Sequence, residues 1–94
     1  MECIEIISLE TVTGVSEEFY KRLLASVKEK YKDRQLKDIN LYQHGTIETD
    51  FSIHLRWDLG RVDLMGTEAA QYLVQLLKEY GLVSHSVWVE KVSL

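Results

Sequence analysis

The sequence predicts an α+β domain in which two helices alternate with four strands in the order β-α-β-β-α-β. The run 47–58 alternates apolar and polar residues without interruption, which is typical of a strand with one face on a core. The segments 2–12 and 83–94 are rich in β-branched residues and carry large apolar side chains on both faces, as strands inside a sheet do. Between these strands, two segments show apolar residues at helical spacing.

The first helix is predicted to follow a turn that ends at Ser16. Ser16 is a favourable N-cap, and Glu17 and Glu18 place negative charge in the first turn, where the helix dipole favours it. The predicted buried stripe recurs at every fourth residue and consists of Phe19, Leu23, Val27 and Tyr31, flanked by Tyr20 and Leu24.

A second strand is predicted at 38–43, where apolar and polar residues alternate. His44 and Gly45 follow, and a two-residue connection with glycine second is typical of tight hairpins. We therefore expect the second strand to pair antiparallel with the run 47–58.

The second helix is predicted to begin after Thr67, a favourable N-cap, and to end before Gly81, which takes the position that terminates many helices. The preceding segment, 58–66, contains two glycines and no clear period, so we expect a loop in which 62–64 can be extended. The predicted buried stripe consists of Ala69, Ala70, Leu73, Leu76, Leu77 and Tyr80.

Right-handed crossover connections place both helices on one face of a four-stranded antiparallel sheet, the ferredoxin-like split βαβ arrangement. Residues 1–94 then form a single domain, since a chain of this length has little room for a second core. The odd-numbered face of the third strand is predicted to pack on the helices, and the sequence leaves open which face of the last strand does so. The two candidate faces of the last strand carry Val83, His85, Val87 and Val89, or Ser84, Ser86, Trp88, Glu90 and Val92.

The sheet face away from the helices combines large apolar residues of the outer segments with the polar side of the third strand. A contiguous exposed apolar patch marks an interaction surface. The simplest cover is a second copy, packed sheet against sheet about a two-fold axis. We therefore expect a homodimer whose sheets enclose a cavity with apolar walls and polar groups from Glu48, Asp50, Ser52, His54 and Arg56.

This element order, the chain length and the long alternating strand 47–58 resemble the dimeric α+β-barrel superfamily, which includes small cofactor-independent monooxygenases of antibiotic biosynthesis. The resemblance covers nearly the whole chain and is topological. It implies a homodimer with a ligand cavity between the sheets. Haem-degrading relatives would use an asparagine on the first strand, and residues 2–12 contain none. Oxygenase relatives use cavity residues of the types that Tyr42, His54, Trp57 and Trp88 supply.

His54 is the principal catalytic candidate. It lies in mid-strand on the polar face, where a histidine can act as a general base or anchor a ligand near neutral pH. The alternative is that it only hydrogen-bonds across the sheet or reaches water, because no partner is visible in the sequence. The ligand-binding candidates are Tyr42, Asp50, Ser52, Arg56 and Trp88.

Three of these candidates leave alternatives open. Asp50 and Arg56 lie roughly 20 Å apart along one strand, so they can bind opposite ends of one ligand or pair with neighbouring strands. Trp88 can line the cavity or lie in the dimer interface, where aromatic residues are enriched. Trp57, on the helix-facing side, is predicted to be part of the core.

Composition and charge argue against several functions. A formal net charge of −4 disfavours a nucleic-acid partner, including recognition by an RNA-binding sheet. Cys3 is the only cysteine, so an intramolecular disulfide is impossible. No metal or cofactor is expected, because the histidines lack metal-ligand spacing, although a pairing of His54 with His85 across strands stays open. No segment resembles a targeting sequence or a membrane span, so we expect a soluble cytoplasmic protein without a membrane partner.

Two functions remain. The first is a homodimeric barrel that binds a small hydrophobic or aromatic molecule between its sheets, either as a binding protein or as an enzyme that oxidises or isomerises it without a cofactor. The second is a non-enzymatic ligand-sensing or protein-interaction module on the same fold. The sequence does not decide whether the chain is an enzyme.

Overall fold

The computed structural model describes residues 2–58 and 65–94, and across these residues the elements follow the predicted order. The strands form one antiparallel sheet in the spatial order β2-β3-β1-β4, so that β1 and β3 are central and β2 and β4 are edges. This is the α+β, ferredoxin-like arrangement that the sequence predicts. The elements are β1 (Glu2–Thr11), α1 (Glu17–Tyr31), β2 (Leu36–Gln43), β3 (Asp50–Asp58), α2 (Glu68–Leu77) and β4 (Gly81–Val89).

Both predicted helix N-caps are confirmed. The Ser16 hydroxyl accepts a hydrogen bond from the backbone N–H of Phe19 at 3.2 Å, and the Thr67 hydroxyl accepts one from the N–H of Ala70 at 3.2 Å. The stripe of α1 is shifted slightly, because Tyr20 is fully buried while Phe19 lies at the margin of the core. Among the described residues, no helix is long and apolar enough to cross a membrane.

The predicted two-residue turn after β2 is wrong, because the connection runs from 44 to 49. The His44 Nδ1 atom accepts hydrogen bonds from the backbone N–H groups of Thr46 and Ile47, both at 3.1 Å. The N–H of Asp50 then donates to the carbonyl of Ile47 at 3.1 Å. The imidazole thus holds a longer turn, and β3 begins at Asp50 although the alternation of residue types begins earlier.

The predicted role of Gly81 is also wrong. Helix α2 ends at Leu77, and Gly81 begins β4 instead of capping the helix. A Cβ atom at this position would overlap the backbone carbonyl of Glu10 on β1, so glycine allows the two strands to approach. Tyr80 accordingly lies beyond the helix and is exposed. Strand β4 ends at Val89, before the predicted end at residue 94, and segment 62–64 lies outside the described residues.

The two faces of the sheet differ sharply in burial. The odd-numbered residues of β1 and β3 pack against both helices, and the pairing of Ile7 with His85 places the odd-numbered residues of β4 on this helix side. We call the opposite surface the open face. It carries Ile4, Ile6, Ser8, Glu10, Asp38, Asn40, Tyr42, Asp50, Ser52, His54, Arg56, Leu82, Ser84, Ser86 and Trp88.

Candidate functional site

Three of the predicted site residues, Tyr42, Ser52 and His54, come together on the open face. The pairing of β2 with β3 places Tyr42 opposite Ser52. Ser52 and His54 lie two residues apart on β3, and the Ser52 hydroxyl is 3.1 Å from the His54 Nε2 atom. The rings of Tyr42 and His54 pack with centroids 4.4 Å apart. These residues form one contact group, which we call the His54 cluster.

The environment of His54 favours its neutral form. Partial burial lowers the pKa of His54 below its ordinary value of 6.5, because desolvation penalises the imidazolium ion. Near neutral pH the ring therefore keeps a lone pair that can accept a proton or a hydrogen bond. The contacts with Ser52 and Tyr42 fix its orientation, so the His54 cluster can serve as a base or as an anchor for a ligand hydroxyl.

A cavity of about 270 Å³ adjoins the His54 cluster at one end of the sheet. Ser52 belongs to both, and Asp50 lies in the cavity wall directly opposite Glu10 on β1. Two facing carboxylates favour a neutral or positively charged group over an anion. The volume is close to the lower limit of small-molecule sites, so the cavity suits a small ligand or one end of a larger one. Its wall consists of Ser8, Leu9, Glu10, Gln43, His44, Asp50, Phe51 and Ser52.

Arg56 is held in ion pairs across the sheet. Its guanidinium group lies 2.6 Å from the Asp38 carboxylate on β2 and 3.9 Å from the Glu2 carboxylate on β1. Of the two roles left open by the sequence, the structure thus shows pairing with neighbouring strands. Asp50 lies at the other end of β3, so the structure does not bring these two candidates together.

The two tryptophans lie in different surroundings. Trp57 is buried in the helix-side core, as predicted. Trp88 is on the open face of the edge strand β4, where its indole N–H donates to the Ser86 hydroxyl at 2.9 Å. Strand β1 separates Trp88 from His54. Trp88 and Ile4 instead line a second cavity of about 230 Å³ at the opposite end of the sheet from Asp50.

The open face also exposes large apolar side chains. Ile4 and Ile6 are half-buried on the central strand β1. Around them, the exposed fraction is 50% for Tyr42, 60% for Trp88 and 74% for Leu82. Side chains of this size are normally covered in a folded protein when they are contiguous, which makes this face the main candidate for an interaction surface.

The sequence interpretation missed a buried polar cluster on the helix side of the sheet, formed by Glu5, Thr67 and His85. Glu5 is only 1% exposed. Its carboxylate accepts hydrogen bonds from the Thr67 hydroxyl at 2.6 Å and from the Thr67 backbone N–H at 3.0 Å. The His85 Nε2 atom lies 2.9 Å from the same carboxylate. The available signal was a glutamate on the apolar side of β1.

We call these three residues the Glu5 cluster, and their hydrogen bonds hold the start of α2 against the sheet. Gly66 has a positive φ of 95° and packs against the His85 ring, where a Cβ atom would lie 2.6 Å from Cε1. Burial, together with the nearby charge of Glu5, raises the pKa of the Cys3 thiol, which disfavours the nucleophilic thiolate.

The sequence left open that His54 and His85 bind one metal ion together, and the structure decides this question. His54 lies on the open face and His85 on the helix side, so they cannot bind one metal ion. Within 2–58 and 65–94, no group of three histidine, cysteine, aspartate or glutamate side chains could hold a metal ion.

The fold has counterparts among solved structures. No family model matches the sequence, and no curated protein is similar to it. Rv0793 from Mycobacterium tuberculosis superposes with a TM-score of 0.64 at 11% identity, covering 99% of this chain and 98% of that one. Protein SO0527 from Shewanella oneidensis superposes with a TM-score of 0.59 at 14% identity, covering 93% and 88%. At these identities the likeness shows the fold alone, that of a small ferredoxin-like α+β protein.

Proposed function

We propose that this chain forms a homodimer, sheet against sheet as in a dimeric α+β barrel, and binds a small hydrophobic or aromatic molecule between the two open faces. One observation carries the proposal: the open face leaves Ile4, Ile6 and Trp88 without a cover, and it presents the His54 cluster next to Ile6. Apolar side chains favour a partner, and the polar cluster favours a specific ligand.

A row of small side chains supports a cavity between the sheets. The pairing of β1 with both neighbours aligns Ser52, Ser8 and Ser84 across three strands of the open face. Sheets pack about 10 Å apart, a gap that large side chains fill and serines do not. In a sheet-to-sheet dimer this serine row leaves space, which is bordered by the Tyr42 and His54 rings on one side.

The side chains that border this space predict which ligand it would bind. An aromatic ring would pack against Tyr42, and a ligand hydroxyl would donate to the neutral imidazole of His54. If the protein is an enzyme, proton transfer to His54 would begin an isomerisation, or an oxidation by dioxygen without a cofactor. The single cysteine, Cys3, is a buried free thiol, which is compatible with the reducing cytoplasm.

The dimer is tested by light scattering over a dilution series of the wild type, Ile6→Lys and Val12→Lys. Val12 is exposed and lies beyond Thr11, the last residue of β1 that pairs with a neighbouring strand, so it controls for the added charge. We expect a wild-type dimer, a monomeric Ile6→Lys variant and an unchanged Val12→Lys variant. A wild type that is monomeric at all concentrations would contradict the proposal.

The ligand site is tested by NMR titration with 2-naphthol as the probe. We expect chemical-shift changes at Tyr42, Ser52 and His54, and an affinity reduced roughly tenfold in His54→Phe, because the phenyl ring cannot accept the hydrogen bond that the ligand hydroxyl donates to the imidazole. A dimer that shows no response to 2-naphthol would instead favour a protein-interaction or ligand-sensing module that uses the same face.

A further inference from the structure

The first part of the turn 44–49 is held by a titratable side chain. The Nδ1 atom of His44 accepts hydrogen bonds from the backbone N–H groups of Thr46 and Ile47, each at 3.1 Å. A backbone N–H group can only donate, so both contacts require a lone pair on Nδ1. The geometry therefore identifies a neutral His44 ring that carries its proton on Nε2.

Protonation of His44 would turn the acceptor of these contacts into a donor. An imidazolium ring carries a proton on both nitrogens and cannot accept a hydrogen bond. The new N–H group would point at the N–H groups of Thr46 and Ile47, so two hydrogen bonds are lost and donors face each other. The Thr46 hydroxyl is 3.4 Å from Nδ1, beyond the usual range of an N–H···O bond, and does not replace them.

The second part of the turn is held by groups other than this ring. The side-chain amide of Gln43 donates to the carbonyl of Glu48 at 3.0 Å. The backbone N–H of Thr11 donates to the carbonyl of Thr49 at 3.1 Å, and the Thr11 hydroxyl donates to the same oxygen at 2.9 Å. Amides and aliphatic hydroxyls do not titrate near neutral pH. A change in the charge of the ring therefore acts on the first part of the turn and leaves residues 48–49 in place.

The charged groups that share a cavity wall with His44 are carboxylates. Glu10 of β1 and Asp50 of β3 line the open-face cavity together with His44, and Glu48 belongs to the turn itself. No lysine or arginine is part of the described lining of this cavity. Carboxyl groups ordinarily titrate near about pH 4, so they keep their charge in the range in which histidines titrate. In this wall, an imidazolium ion therefore meets negative charge and no positive charge.

We propose that His44 is a pH-dependent switch for this turn. The neutral ring holds Thr46 and Ile47, and uptake of a proton at Nδ1 releases both amides and turns the ring away from them. Because the ring is part of the wall of the cavity that adjoins the His54 cluster, the switch changes that wall as well. The switch goes beyond the function proposed above, because it requires neither the dimer nor a ligand.

The switch is tested by NMR of the full chain between pH 8 and pH 5, the range in which histidines ordinarily titrate. The Cε1–H signal follows the charge of the His44 ring. Exchange of each backbone amide proton with water is expressed as protection, relative to an unstructured chain at the same pH. We expect the protection of Thr46 and Ile47 to fall about 2-fold to 10-fold as the ring titrates, as the loss of one hydrogen bond would give. The Thr11 amide, which donates to the second part of the turn, is the internal control and should keep its protection.

Two variants separate this switch from other titrations. His44→Asn supplies a side-chain oxygen that can accept from the amide two residues later at every pH, so the protection of Thr46 should no longer depend on pH. His54→Gln removes the histidine that contacts Ser52 in the same cavity wall, and the switch should persist in it.

Four results would each overturn the proposal. The first is protection of Thr46 and Ile47 that does not change while the ring titrates, and the second is an equal fall at Thr11, which would mean that the whole sheet end loosens. The third is an equal fall in His44→Asn, and the fourth is disappearance of the effect in His54→Gln.

Discussion

The two faces of the sheet are built from the same strands but differ in how completely they are filled. Ile7 is fully buried between the central strand and the helices, whereas its neighbour Ile6 is half-buried on the open face. On the helix side, the polar groups of Glu5 and His85 are buried and hydrogen-bonded to each other. The open face carries a row of serines and exposed aromatic rings instead. One face is packed against the helices as a core, and the other leaves large apolar side chains partly exposed.

The surroundings of His85 and His54 show the same difference between the helix side and the open face. His85 contacts a buried carboxylate and a glycine backbone, so its surroundings are fixed by the fold. His54 contacts a hydroxyl and a tyrosine ring at the surface of the sheet. The first histidine holds an element in place, while the second is available to a ligand. Function is therefore expected where the packing is incomplete.

The largest expected effect compares Ile7→Ala with Ile6→Ala, the same change at adjacent positions on β1. Ile7→Ala should lower the free energy of unfolding by about 2–5 kcal/mol, because it leaves a cavity among helix-side core residues. Ile6→Ala should lower the free energy of unfolding by about 1 kcal/mol or less at low protein concentration. Urea unfolding followed by circular dichroism measures both values, and equal losses would contradict the contrast between the faces.

The next prediction concerns the buried carboxylate. Glu5→Gln should reduce the free energy of unfolding by about 3 kcal/mol, because the amide cannot accept all the hydrogen bonds that Thr67 and His85 bring to the carboxylate. Glu10→Gln is the matched control, because Glu10 is an exposed glutamate on the same strand. This variant should change the free energy of unfolding by less than about 0.5 kcal/mol. A Glu5→Gln variant as stable as its control would show that the cluster is not needed to hold α2.

The fold could be predicted from the sequence because its main signals are local. Alternation in β3 and helical spacing in α1 report directly which side chains share a face. The errors occurred where a specific contact of a side chain or of the backbone decides the conformation. The turn 44–49 is held by the His44 imidazole, and Gly81 is required by the approach of β4 to β1. Neither effect is visible in the spacing of residue types.

The candidate site was predictable only in part. The sequence named Tyr42, Ser52 and His54 as candidates, but it did not predict that they meet. The pairing of β2 with β3 was predicted from a two-residue turn, whereas the longer connection 44–49 sets the register that places Tyr42 opposite Ser52. The Glu5 cluster joins residues 5, 67 and 85, and no pattern in the sequence connects positions so far apart. The only sign of this cluster in the local sequence is a glutamate on the buried face of β1. The role of that glutamate can be recognised only when its partners are known.

A smaller effect is expected from the glycine that contacts the helix-side histidine. Gly66→Ala should cost about 1–3 kcal/mol, because a positive φ strains alanine and its Cβ would displace the His85 ring. Gly45→Ala is the control, since a Cβ atom there meets no atom within 4 Å. Thermal unfolding of both variants measures the difference. A loss of similar size at Gly45 would mean that contact with His85 is not the cause.

The smallest expected effect is the pH dependence that His54 adds on the open face. Burial lowers the pKa of His54 in the folded state below its ordinary 6.5, so the unfolded chain takes up this proton first as the pH falls. The contribution of neutral His54 to the free energy of unfolding is complete above pH 6.5 and is lost as the pH falls through the folded-state pKa. Wild type should therefore lose more stability than His54→Gln between pH 7.5 and pH 5.5, measured by urea unfolding at each pH. An NMR titration midpoint for His54 above 6.5 would reverse the sign and would mean that the open face stabilises the imidazolium ion.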